Sequence, residues 1–323
     1  MSSFRKTLFW LIVLAAVGGV VYVFDTEFEK QEKKTEEAKL LFNFSADSVT
    51  GVELRQGEQK IVCKKEKAGW VLEEPLLALA DAGAIEKLLK QALTAKSDAI
   101  LFENPDPVKL RELQLEKPEL EMAFTVQGDS RVHRIFFGSR APTENVAWAM
   151  LEGDARVHRV HADVRAEAER SVYDLRDKTV LPLDPLKMAM VEIVRGDQTV
   201  VVEQPSEGRW ETMKPVKGIA SIPKVMEVLY QIKNAKIKQF IREDVKVEEL
   251  KEYGLDKPRA RFTLWAGEKD LPQALLVGDR DKINRGLFAK RANAPNVFLL
   301  EEDFLDVLPQ DFGKFIEGGA NTP

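Results

Sequence analysis

The stretch WVLEEPLLALADAGAIEKLLKQA, residues 70–92, decides the fold, because the chain carries a second version of it at residues 210–232, WETMKPVKGIASIPKVMEVLYQI. In each version a tryptophan, Trp70 or Trp210, opens a short run that ends at a proline, Pro75 or Pro215. Proline lacks the donor that a continuing ladder needs, so the pattern predicts a strand stopped there. Asp81 and Ser221 then occupy matching positions, and both residue types are good helix N-caps. Behind them Ile85, Leu88, Leu89 and Ala92 recur at i, i+3, i+4 and i+7, and Val225, Val228, Leu229 and Ile232 answer in register. That is the apolar stripe of a helix packed on a sheet.

Outward from this unit the correspondence continues at a spacing of 140 residues, placing Pro118 on Pro258, Gly138 on Gly278 and Arg140 on Arg280. Upstream of the tryptophans the offset is 139, so Val52 falls on Val191 and Gly57 on Gly196. Each copy is expected to open with a hairpin, over 50–55 and 59–64 and again over 190–195 and 199–203, turned at glycine. After the helix come an apolar run at 99–102 (239–241) and a short helical piece at 108–113 (247–253). Four strands follow, at 119–126, 132–137, 147–151 and 157–160, with twins at 259–266, 274–277, 287–290 and 297–300. A last helix is expected over 162–169 and 302–307. The second of these strand pairs, 132–137 and 274–277, is expected to end at the shared glycine, which would put Arg140 and Arg280 in a turn, bonded to a backbone carbonyl.

The fold class expected is therefore α+β: two tandem repeats of mostly antiparallel sheet, each with one main packed helix. Repeat one is placed at 40–170 and repeat two at 184–313, with a Pro-interrupted connector at 171–183 and a disordered tail at 314–323. The two lobes are expected to touch. Trp70 and Trp210, each on a strand just before a proline, are read as core anchors between helix and sheet rather than as the wall of a cleft.

The only long apolar run is TLFWLIVLAAVGGVVYVF, residues 7–24. As a helix it would reach roughly 27 Å, close to the hydrocarbon thickness of a bilayer. Arg5 and Lys6 precede it, and Asp25, Glu27 and Glu29 follow. The positive-inside rule then leaves a cytoplasmic tip within 1–25 and sends the rest of the chain across the membrane. The expected address is the bacterial inner membrane, single-pass, with the bulk in the periplasm. A cleaved signal peptide, cut after small residues such as Ala16 and Gly18, is the alternative; it would leave Val20, Val21, Val23 and Phe24 exposed at the new terminus. Residues 26–39, TEFEKQEKKTEEAK, are nearly all charged and read as a solvated stalk.

The net charge of −5 is small beside 48 basic and 53 acidic side chains. The signs are interspersed, with no basic stripe to track a phosphate backbone, so nucleic acid is not an expected partner. Cys63 is the only cysteine. Its twin is Val202, so it reads as a small apolar strand residue. His133, His158 and His161 face Gln273, Phe298 and Glu301 in the other copy. His158 and His161 lie three apart on a strand and so point to opposite faces; no metal is expected. No phosphate-binding loop and no nucleophile elbow occurs. No cofactor is expected, and the chain is read as not an enzyme.

Three phrases, Trp-x4-Pro at 70–75 and 210–215, Tyr253-Gly-Leu-Asp-Lys-Pro258, and Leu175-Arg-Asp-Lys178, give the chain a further reading. With these phrases together behind one apolar N-terminal run, it resembles a bacterial family described as a domain of unknown function. Copy one departs from the second phrase, reading Leu113-Gln-Leu-Glu-Lys-Pro118 without the Tyr-Gly pair. Members of that family are often encoded beside gliding-motility-type ABC transporter subunits and their membrane-anchored auxiliary protein. The resemblance implies a non-enzymatic accessory subunit or scaffold outside the cytoplasmic membrane, with the transporter permease and auxiliary membrane proteins as partners. The alternative is a module that binds an envelope glycan or lipid in a cleft between the repeats.

Overall fold

The computed structural model describes residues 38–141, 145–267 and 271–318. The expected membrane span at 7–24 and most of the stalk lie outside them. No helix among the described residues is long and apolar enough to cross a membrane. The chain divides into two compact units between Asp177 and Lys178.

Unit one is a nine-stranded sheet with its main helix packed on one face. The elements are β1 (Val49–Gln56), β2 (Gln59–Glu66), β3 (Gly69–Glu74), β4 (Ala78–Leu79), α1 (Ala82–Leu93), β5 (Ala99–Phe102), α2 (Pro107–Glu112), β6 (Leu120–Val126), β7 (Val132–Arg140), β8 (Val146–Leu151), β9 (Val157–His161), α3 (Ala162–Ala168) and α4 (Val172–Leu175). The strand order is β4-β3-β2-β1-β6-β7-β8-β9-β5, antiparallel at each pairing. Unit two repeats it with β10 (Met190–Arg195), β11 (Gln198–Ser206), β12 (Arg209–Lys214), β13 (Gly218–Ile219), α5 (Ile222–Asn234), β14 (Gln239–Arg242), β15 (Ala260–Trp265), β16 (Gln273–Asp281), β17 (Gly286–Arg291) and β18 (Val297–Glu301). Its order, β13-β12-β11-β10-β15-β16-β17-β18-β14, is the same. The fold is thus a β-rich α+β arrangement, as the tandem pattern predicts. The twins of α2 and α3 are tighter: Val247–Tyr253 and Phe304–Val307 are 3-10 turns.

Each core lies between the sheet and its main helix. Ile85, Leu88, Leu89 and Ala92 of α1 and Val225, Val228, Leu229 and Ile232 of α5 are buried in equivalent clusters. Removing such side chains from water is the main favourable term, worth roughly 1.5–3 kcal/mol for each large one. On the opposite face of the second sheet Val245, Leu255 and Val297 form a smaller cluster under the loop that carries the 3-10 turn.

The ends of each repeat differ from the expected boundaries. Entry is marked by an isolated bridge between Leu40 and Lys96 and, in unit two, between Thr179 and Lys236. Exit is marked by bridges between Ala80 and Arg176 and between Ala220 and Ile316. Leu175 O accepts from Asp81 N at 2.8 Å, and Phe315 O accepts from Ser221 N at 2.7 Å. The returning chain thereby extends the sheet past the two-residue strands β4 and β13 and covers backbone groups that an edge would leave unpaired. Residues 171–177 close repeat one and 178–183 open repeat two, with Val180 and Leu181 in its core, so no separate connector lies between the units. The tail reading at 314–318 is corrected likewise, since Phe315 is 1% exposed. Lys39, at the end of the expected stalk, already bonds to repeat one through Ser97 N.

Candidate functional sites

The residues shared by the repeats resolve into structural roles. Trp70 and Trp210 are buried in their cores. Pro75 and Pro215 follow β3 and β12 through cis peptide bonds. Asp81 caps α1, accepting from Ala84 N at 3.1 Å. Ser221 occupies the same N-cap position, but its hydroxyl accepts no cap bond. The amide of Lys224 is taken instead by the Ser221 carbonyl at 3.0 Å, and Pro223 has no N–H to offer. Pro118 and Pro258 are half-buried just ahead of β6 and β15.

Gly138 and Gly278 do not end their strands. β7 and β16 run through them to Arg140 and Asp281. A Cβ at Gly138 would stand 2.1 Å from Leu113 O, and one at Gly278 would stand 2.1 Å from Tyr253 O. In both repeats the last carbonyl of the preceding helical turn presses on the strand, and only hydrogen fits between. Arg140 and Arg280 accordingly sit on strands rather than in turns, and they meet carboxylates rather than backbone carbonyls: Arg140 pairs with Glu169 and Arg280 with Glu302. The carbonyl in this corner, Gly138 O, accepts from Arg165 Nε at 2.9 Å.

Cys63 pairs with Val52 across β1 and β2, as Val202 does with Val191. Burial pushes its thiol pKa up to about 12, which disfavours the thiolate at neutral pH. His158 is buried, with Nδ1 2.9 Å from Ser97 Oγ. His161 is exposed at the start of α3. The pair therefore diverges, and no group of three or more ligand-type side chains is gathered for a metal among the described residues.

One motif escaped the sequence reading because it recurs within a single repeat. Asp129-Ser-Arg131-Val-His133 opens β7 and Asp154-Ala-Arg156-Val-His158 opens β9. In each, the Asp carboxylate accepts from the Arg amide two residues on, at 2.9 Å and 3.0 Å. The His Nε2 four residues on lies 3.0 Å from Asp129 Oδ2 and 3.4 Å from Asp154 Oδ2. The Arg131 and Arg156 side chains, bonded to these carboxylates, are the main reason both hold well below the usual carboxylate range. The motif locks two turns at one end of the sheet. The repeat at a spacing of 25 residues was visible in the sequence, but it did not coincide with the larger duplication.

Two concave places stand out among the described residues. In repeat two a groove of about 690 Å³ is bordered by Lys238, Arg280, Arg285, Glu301, Glu302 and Asp303, among others. Its charges largely neutralise each other: Lys238 Nζ lies 2.9 Å from Glu301, while Arg280 and Arg285 share Glu302. In repeat one a smaller pocket of about 380 Å³ lies beside Gly138 and is walled by Gln114, Glu119, Phe137 and Arg165.

Comparison with known families finds the profile of a domain of unknown function, DUF4340, twice, over residues 70–222 and 210–319. The chain belongs to this family. The two DUF4340 matches start at Trp70 and Trp210, the second residues of β3 and β12, so the family's unit recurs in step with the duplication. No curated protein and no solved structure matches the chain.

Proposed function

We propose that this DUF4340 chain is a non-enzymatic accessory subunit or scaffold, anchored in the bacterial inner membrane by residues 7–24, whose periplasmic repeats bind partner proteins of a gliding-motility-type ABC transporter. The observation that carries the binding role is an apolar side chain left in water at the same place in both repeats. Leu79 on β4 is 63% exposed and Ile219 on β13 is 59% exposed. Leu77 and Val216 stand exposed beside them, between the cis proline and the helix. Of these, Leu79 and Ile219 are kept through the duplication, and exposed apolar side chains grouped at one corner suit contact with another protein better than solvation. The transporter as partner, and the Trp-x4-Pro phrase as a family mark, rest on the family resemblance drawn from the sequence.

Affinity purification of the full-length chain from its native membrane, in mild detergent, tests the reading. Transporter permease and auxiliary proteins are expected to co-purify. Replacing both Leu79 and Ile219 by Asp should reduce their recovery while leaving the melting temperature unchanged. Recovery of the chain alone, or unchanged recovery with the double variant, would count against it.

A further inference from the structure

The turn before β6 is where the two repeats meet one backbone demand with different side chains. Gln114 holds φ at +60° where Gly254 holds +64°. That left-handed region disfavours any residue with a Cβ, so the glutamine persists against a local preference that its twin satisfies. In repeat two, Asp279 stands 2.6 Å from where a Gly254 Cβ would lie and accepts from Arg259 Nε at 3.1 Å. That ion pair joins the start of β15 to β16. The corresponding positions in repeat one are Ser139 and Glu119, which cannot form it, and the 380 Å³ pocket borders Glu119. A third exchange places Arg165 where repeat two has Leu305.

The charges around this pocket do not cancel. Arg165 bonds Gly138 O through Nε and Glu169 through Nη1. Glu169 also takes Arg140, so one carboxylate serves two guanidinium groups and a positive charge is left beside the pocket. Lys117 and Glu119 offset each other, and Arg111 is matched by Glu116. Phe137 and Leu120 border the pocket from the core side, each almost wholly buried. The volume is at the small end of the range for ligand pockets.

We propose that this pocket, present in repeat one, binds a small carboxylate, with the charged end toward Arg165 and the Gln114 amide. The proposal is independent of the accessory role: a scaffold that binds partners at the Leu79 and Ile219 corners can carry the pocket or lack it. The carboxylate could come from a free small acid or from a peptide C-terminus.

Calorimetric titration of the full-length chain separates these cases. The probes are sodium propionate, N-acetyl-alanyl-alanine and the C-terminal amide of the same dipeptide. Binding of one or both acids with a dissociation constant of about 1 mM or tighter, with at least tenfold weaker binding of the amide, is the expected result. Propionate binding points to free acids, whereas binding of the dipeptide alone points to a chain terminus. The triple variant Gln114→Gly, Glu119→Arg, Ser139→Asp installs the repeat-two set, in which glycine makes room for the aspartate. It should melt at or above the wild-type temperature and lose binding at least tenfold. Should it fail to fold, Gln114→Gly alone, which relaxes the backbone, should weaken binding several-fold. No binding by either acid, equal binding of the amide, or unchanged binding by the folded variant would overturn the proposal.

Discussion

Gly138 faces Leu113 across a gap that no side chain can enter: a Cβ on the glycine would stand 2.1 Å from the leucine carbonyl oxygen. The contact is backbone against backbone, since Ser139 N also donates to that oxygen at 2.9 Å. Moving the glycine away would break β7, and moving Leu113 away would break the bond from Ser139 N.

Gly138→Ala should therefore destabilise the protein by about 3 kcal/mol, the upper range for overpacking. Urea unfolding followed by circular dichroism measures it. Gly83→Ala, on α1 with only ordinary contact to Asp81, is the control and should be neutral or slightly stabilising. Equal effects of the two would refute the steric account.

Trp210 is buried against the helix–sheet core of repeat two. Trp210→Ala is expected to cost about 3–5 kcal/mol through lost burial and the cavity left behind. Calorimetry should show a lower melting temperature for the unit that contains it. An unchanged transition would show that the indole does not anchor the core.

Thr212 is fully buried on β12, and its hydroxyl finds no partner among the described residues. Repeat one has Leu72 at the same point, also fully buried. A buried hydroxyl without a hydrogen bond costs about 1–3 kcal/mol. Thr212→Val should raise stability by about 1 kcal/mol, read from the denaturation midpoint; a fall would mean that the hydroxyl is satisfied in solution.

Cys63, with its thiol pushed up to about 12 by burial, should resist iodoacetamide at pH 8 in the folded protein and react promptly in urea. Cys63→Val, copying Val202, should change stability by less than about 1.5 kcal/mol. Rapid alkylation of the native chain would show that the strand opens.

Asp129 and Asp154 are held below the ordinary carboxylate range chiefly by Arg131 and Arg156. A carboxylate lowered on folding contributes stability that is fully present above its unfolded value, near pH 3.9. That contribution is lost as pH falls through the lowered folded value. Stability should thus decline below about pH 4, and Asp129→Asn with Asp154→Asn should flatten the decline while lowering stability at neutral pH. Both groups are partly exposed to solvent, so screening by salt should shrink the effect. Unfolding midpoints between about pH 2 and pH 7, with and without the substitutions, check the sign.

The amino-acid sequence by itself determined the duplication, the strand that stops at Pro75 or Pro215, and the apolar stripes of the two main helices. These are local or periodic features, and each copy confirms the other. Tertiary structure alone decided what meets what across long stretches of chain. Arg140 reaches Glu169 and Arg280 reaches Glu302 because the last helical segment folds back over the sheet, and no spacing in the chain encodes that return. The repeat ends moved for the same reason: residues 171–177 look like a connector in one dimension, yet Arg176 pairs with Ala80 at the sheet edge. Ser221 has the composition of a cap, but its use depended on which amides were left over once Pro223 and the turn geometry had taken their places. The pocket beside Gln114 was hidden because it depends on two absences, a missing glycine and a missing ion pair, whose meaning appears only when the strands that hold their twins are set side by side.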